Sequence, residues 1–163
     1  MNMPKVNKVL YTTSLGPYSR HVYRHALQLA YANQAELIML HVIKPVGAMG
    51  EALIKEYLPA DLVDEVHESG VRRVMEKMKT RVQEIMADES KDMGRYSEVV
   101  VRQRIETGRY DETILNTAVE EGASVIVMGS ENRLGMQSSK VQRVIRGSKI
   151  PVYVVPTGKN YPQ

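Results

Sequence analysis

Glu36-Leu37-Ile38-Met39-Leu40-His41-Val42-Ile43 is a nearly continuous apolar run. A strand with one wet face alternates apolar and polar side chains. A run this uniform belongs to a strand covered on both faces, as in parallel sheets. Upstream, Lys8-Val9-Leu10-Tyr11-Thr12-Thr13 is a second β-rich run, and Ser14-Leu15-Gly16-Pro17 breaks it. Between the two runs, Val22, Ala26, Leu29 and Ala30 recur at helical spacing. That spacing predicts a helix starting near Tyr18 or Ser19 and ending near Asn33. Lys44 to Gly50, with Pro45, Gly47 and Gly50, reads as a loop.

Helix and strand signals go on alternating toward the C-terminus. Leu53 to Glu68 reads as a short helical piece interrupted near Pro59, and its weak apolar stripe makes it the segment expected to be most mobile. A long helix follows on Val71, Val74, Met75, Met78, Val82, Ile85 and Met86, and the polar stretch Asp88 to Gly94 ends it. Ser97 to Ile105 is a strand whose second half alternates charge with apolar residues, the mark of a sheet edge. After Thr107-Gly108, Tyr110 to Glu121 is a helix on Ile114, Leu115, Ala118 and Val119, with Gly122 placed as its C-terminal cap. Val125 to Met128 is the most buried-looking strand, and Gly129 to Ser139 is a glycine- and serine-rich loop. Lys140 to Arg146 is a short helix, Pro151 to Pro156 the last strand, and 157–163 a polar tail. Strands alternating with helices predict one domain, 1–163, built as an open, doubly wound, five-stranded parallel sheet with helices on both faces.

The composition agrees with a globular domain: 163 residues, 43% hydrophobic and 25% charged, which excludes disorder and collagen-like repeats. Cysteine is absent, excluding a disulfide framework, a thiolate zinc site and a cysteine nucleophile. Met1-Asn2-Met3-Pro4-Lys5 is read as neither a signal peptide nor the start of a span. No apolar run approaches the roughly 20 residues a spanning helix needs, so a cytoplasmic location and no membrane partner are expected. All nine aromatics are tyrosines, and ten methionines do part of the core filling that phenylalanine would do. The net charge of +3 is mildly basic. Lys140, Arg143 and Arg146 line one helix face, with Lys149 after them, and Arg102 and Arg104 share a strand face. Aromatic residues that would stack bases are not interleaved with them, so solvated charge is expected there and nucleic acid is not.

Sheets of this kind bind ligands beyond the carboxyl ends of their strands, where the strand order reverses. That singles out the loops Ser14 to Pro17 and Gly129 to Ser139, the second of which can present N–H groups to a phosphate as it enters a helix. Val125-Ile-Val-Met-Gly129-Ser130, the glycine-bearing loop, the short helix and Pro151-Val-Tyr-Val-Val-Pro156 together resemble the end of a universal stress protein domain. The Thr13-Ser14-Leu15-Gly16 turn, the Leu40-His41-Val42 strand end and Gly122-Ala123 are similar to that family too. The resemblance implies an adenine nucleotide alpha hydrolase-like, Rossmann-like fold, a cytoplasmic homodimer, a part in stress response, and ATP or AMP as ligand. It places Ser14, Val42, Gly129, Ser130, Asn132, Arg133, Gly135, Ser138 and Ser139 around the nucleotide. The nucleotide-binding branch of the family carries an aspartate where Ser14 stands, and Gly-x2-Gly-x9-Gly-Ser/Thr after strand four. Here Asn132 replaces the second glycine, Ser138-Ser139 fall at the final pair, and the loop is four residues short. These departures imply a regulatory or interaction module in which nucleotide binding is weak or lost, with some protein partner and no enzymatic activity. The alternative is an ATP- or AMP-binding sensor of the same family.

Each of these residues also has a plainer reading. Gly129 and Gly135 can serve a strand end and a tight turn, Ser138 or Ser139 a helix N-cap, and Val42 the core. His21 and His25 stand at i and i+4, a spacing that can hold a metal, but no carboxylate is set beside them and they are read as exposed helix residues. His41 reads as a satisfied core histidine. Met136-Gln-Ser-Ser-Lys140 faintly resembles the lysine-serine loop of class I aminoacyl-tRNA synthetases, without the partner motif such an enzyme needs after strand one. No nucleophile-base order and no metal-ligand set stands out. In the family it resembles, the uncharged strand Val152 to Val155 lies at a sheet edge and pairs with its copy in a second subunit. The alternative is a strand covered by the tail Lys159 to Gln163.

Overall fold

In the computed structural model, which describes residues 1–45, 72–130 and 139–158, ten elements follow one another. They are β1 (Lys8–Thr12), α1 (Ser19–Ala32), β2 (Glu36–Ile43), α2 (Arg72–Glu89), a 3-10 turn (Gly94–Tyr96), β3 (Val101–Thr107), α3 (Tyr110–Glu121), β4 (Val125–Gly129), α4 (Ser139–Gly147) and β5 (Val152–Val155). The strands form one parallel sheet in the order β3-β2-β1-β4-β5, the doubly wound arrangement the alternation predicts. The helical piece expected over Leu53 to Glu68 lies outside the described residues.

Side-chain alternation along the strands divides the core into two layers. Val9, Tyr11, Leu37, Met39 and Val127 point to one face, where α1 and α2 meet them through Val22, Tyr23, Ala26 and Met86. Leu10, Ile38, Leu40, Ile126 and Met128 point to the other, against Ile114 and Ala118 of α3 and Val141 and Val144 of α4. β2 supplies both layers, which is why its sequence does not alternate. α3 ends on Gly122 in the left-handed conformation (φ 63°, ψ 38°), its N–H returning to the carbonyls of Ala118 and Val119, as a C-terminal glycine cap does.

Three expectations need correction. The stripe of α2 is buried only toward its C-terminal end: Val82 and Met86 are core, but Val74 is 53% exposed and Met78 40%. The last turns of this helix lie over the layer formed by α1 and the sheet, and Met75 near its start packs against that layer while only partly buried. Val119 is 77% exposed, because Ile114 and Ala118 set the face of α3 and Val119 sits one helical step round from it. β3 begins at Val101 and runs to Thr107, where the sequence reading had Ser97 to Ile105. Its ladder opens with Leu37 opposite Val101, so the start of β2 decides where β3 can start.

The two sheet edges differ in chemistry. On the β3 edge, Arg102 pairs with Glu36 and Glu121 at 2.7 and 2.6 Å. Arg104 pairs with Glu106 and Glu121, both at 2.8 Å, and with Glu120. The two guanidinium groups pull the Glu121 carboxyl down to about 2. Arg102 and Arg104, expected to be solvated charge, are held in ion pairs while Arg102 stays exposed. β5 carries no charged side chain.

Met86→Ala is expected to lower the unfolding free energy by about 2–5 kcal/mol. Val74→Ala on the same helix should leave it within about 0.5 kcal/mol, both read from urea denaturation midpoints.

Candidate functional site

The strand order reverses between β1 and β4, and the chain leaves these two strands for opposite faces, to α1 and to α4. A recess opens between their carboxyl ends, lined by Thr12, Ser14, Gly16, Tyr110, Gly129 and Thr157 among others. Its interior volume is about 20 Å³, room for about one water molecule.

The turn after β1 is built from its own hydroxyls. Leu15 N–H donates to Thr13 Oγ1 at 3.1 Å and Gly16 N–H to Ser14 Oγ at 3.2 Å. These side-chain turns hold Leu15 in the left-handed region at φ 57°, a strained conformation for a leucine. His41, at the end of β2, fixes the same turn from the side, its Nδ1 lying 2.8 Å from the Thr13 carbonyl oxygen. It is hydrogen-bonded, as the sequence reading expects, but half-buried and not part of the core.

Of the residues singled out in the sequence, Ser14 and Gly129 line the recess together. A Cβ on Gly129 would stand 3.0 Å from Val22 Cγ2 and 3.4 Å from Thr157 Cγ2, so glycine is what lets β4 end this close to α1. Ser130 turns away from the recess to brace the chain: its N–H donates to the Val155 carbonyl at 2.9 Å, and its Oγ accepts the Thr157 N–H at 3.0 Å. Val42 is buried in the layer under α3 and α4. Ser139 is the exposed first residue of α4. Beside it Lys140 Nζ lies 5.1 Å from the centre of the Tyr110 ring, a cation–π contact. Burial, then the neighbouring Lys44 and Arg143, pull the Lys140 ammonium below its ordinary value. Asn132, Arg133, Gly135 and Ser138 lie outside the described residues. His21 and His25 meet edge to face at 4.9 Å, and His25 Nδ1 lies 3.2 Å from the Tyr153 hydroxyl. Among the described residues no cluster of three or more metal-ligating side chains occurs.

The sequence reading missed the polar centre beneath this corner. Glu89, the last residue of α2, is only 7% exposed. Its Oε1 is hydrogen-bonded to Tyr11 Oη, and its Oε2 accepts from Thr13 Oγ1 at 2.9 Å. Burial pushes its carboxyl up, against the downward pull of these two hydroxyls. A signal was present: Val82, Met86 and Glu89 follow one another at spacings of four and three, so the glutamate continues the apolar stripe.

A parallel sheet of order 3-2-1-4-5 with a recess at its reversal point defines a doubly wound, Rossmann-like α/β domain. The chain belongs to the universal stress protein family, whose model matches residues 5–156. It is similar in structure to hypothetical protein MJ0577, with 24% identity, a TM-score of 0.67, and coverage of 95% of this chain and 99% of that one. It is also similar to UspA from Lactobacillus plantarum, with 17% identity, TM-score 0.61, and coverage of 94% and 99%. A universal stress protein solved in complex with cAMP matches at 18% identity and TM-score 0.61, over 93% of this chain and 97% of that one. No curated protein sequence matches the chain. Among the described residues no helix is long and apolar enough to cross a membrane.

Gly129→Val is expected to cost about 1–3 kcal/mol by overpacking against Val22 and Thr157, with Gly129→Ala costing less. Urea denaturation of the two variants checks the order.

Proposed function

We propose that this chain is a non-catalytic regulatory or interaction module of the stress response, that it binds ATP and AMP weakly or not at all, and that it works as a homodimer. Ser14 carries the first part of this reading. At the end of β1, where the family's nucleotide-binding branch presents a carboxylate, this chain has a short neutral hydroxyl that already accepts the Gly16 N–H. A serine so placed offers a ribose no charge-assisted hydrogen bond, which is the stronger kind. Calorimetric titration with ATP and with AMP is expected to show little heat of binding. A dissociation constant in the low micromolar range, or ATP that co-purifies with the protein, would overturn the reading. Ser14→Asp should tighten whatever binding exists by about tenfold.

A second reading, an ATP- or AMP-binding sensor, is favoured by the cAMP complex of the relative above. It is also favoured by the cations Lys44 and Lys140 beside the start of α4. In that case Gly129, Ser130, Asn132, Gly135, Ser138 and Ser139 would line the phosphates.

The dimer rests on the contrast between the sheet edges. Paired charges along β3 discourage strand addition there, whereas β5 offers Val152, Tyr153 and Val154 without a charge. Pairing of β5 with its copy about a two-fold axis closes at two subunits. Light scattering should give roughly twice the 18.4 kDa chain mass, and Val154→Arg should shift it toward the monomer. A wild-type protein that stays monomeric at high concentration would end the proposal.

A further inference from the structure

Polar groups from three parts of the fold converge on one buried carboxyl at the lip of the recess. Tyr11 comes from β1, Thr13 from the turn, Ser19 from the start of α1, and Glu89 from the end of α2. Tyr11 Oη meets Glu89 Oε1 and also faces the Ser19 carbonyl oxygen at 2.9 Å. Thr13 Oγ1 donates to Glu89 Oε2 at 2.9 Å while accepting the Leu15 N–H at 3.1 Å. Ser19 Oγ donates to the Gly16 carbonyl at 2.8 Å.

Counting protons decides the charge. The Tyr11 phenol has one proton, and if Glu89 is ionised it has two acceptors, the carboxylate and the Ser19 carbonyl. One of them then goes without. If Glu89 is protonated, its O–H donates to the phenol oxygen and the phenol donates to Ser19. The Thr13 hydroxyl donates to the other carboxyl oxygen, and each contact holds one hydrogen. Of the other groups facing Glu89, Arg20 and the Ser19 hydroxyl favour its charge, but burial outweighs them. Arg20 of α1 is exposed and paired with Asp88 at 2.6 Å. Tyr23 of α1 is a buried phenol, itself pushed up to about 12 by burial and then by Glu89. A buried carboxylate without a cation of its own is costly, and the neutral acid is the usual escape.

We propose that Glu89 is held protonated and acts as a proton-operated latch, positioning Thr13, Leu15 and Ser19 at the lip of the recess. Release of the proton leaves a charge in the core and one hydrogen too few. The part that gives way is the turn at Leu15, which is strained at φ 57° and reaches the carboxyl through Thr13. A molecule that binds the latched lip takes up a proton with it, so binding and protonation are linked whatever that molecule is. The sign follows from the native state holding this proton more tightly than the unfolded chain. The stability so gained is complete below the ordinary glutamate value and is lost as pH rises through the raised one.

The test is an NMR titration of the side-chain carboxyls in protein labelled with 13C at glutamate, with E89Q identifying the Glu89 signal. Glu89 is expected to titrate above every exposed glutamate. T13V, which removes a donor that binds the ionised form more strongly than the neutral acid, should move it further up. In wild-type protein the urea midpoint should fall as pH rises from the ordinary glutamate value to that of Glu89, and opening at the Leu15 and Gly16 amides should grow by up to about tenfold per pH unit over the same range and level off beyond it. E89Q should flatten both dependences. A Glu89 signal that titrates with the exposed glutamates, or an E89Q protein that keeps the wild-type slope, would overturn the proposal. Should E89Q fail to fold, the wild-type and T13V titrations decide by themselves.

Discussion

The position of β1 at the centre of the sheet, hydrogen-bonded on both sides, is the constraint from which the rest of the molecule follows. Its residues Val9, Leu10 and Tyr11 pair with Leu37, Ile38 and Met39 on one flank and with Val125, Ile126 and Val127 on the other. Strand order can reverse only beside such a strand. The two chain segments leaving β1 and β4 must then part to opposite faces, and a gap between them is unavoidable. The recess is therefore a product of topology, and side chains decide only what it can hold.

What fills the gap is largely self-satisfied. Ser14 serves Gly16, Ser130 serves Thr157, Thr13 serves Leu15 and Glu89, and His41 serves the Thr13 carbonyl. Polar groups that satisfy one another hold the lip in one shape, and they have correspondingly fewer free donors and acceptors for a ligand. The network also joins β1, α1 and α2 at one corner, so a change at any member reaches the others through direct hydrogen bonds.

Much of the architecture was legible because two periods dominate it. β2 and α3 occupy the predicted spans, and α1 starts and ends beside the predicted caps, since a two-sided apolar run and a 3.6-residue repeat leave few alternatives. Periodicity misled where packing ran out before the pattern did, at Val74 and Met78 of α2 and at Val119 of α3. In the site, Ser14 and Gly129 were recognisable because they end strands at the reversal point. Glu89 was hidden by its chemistry: a glutamate following a helix stripe reads as a solvated end. Its partners Tyr11 and Thr13 lie 78 and 76 residues away in the chain, where no local pattern connects them.

The central strand also waits long during synthesis for its second flank. Asn7 N–H, at its start, donates to Ser124 Oγ, 117 residues further along the chain. At roughly 5–20 residues per second, the ribosome needs about ten seconds to deliver the second flank after the first residues emerge. Throughout that interval Val9-Leu10-Tyr11 can pair with β2 but has its other edge bare, an apolar template for any neighbouring nascent chain. Loop closure over so long a span also makes the β1–β4 ladder a slow step in refolding. The vulnerable moment for this protein thus falls before its sheet is closed, and chaperone dependence or concentration-limited yield would have its origin at that one unfinished edge.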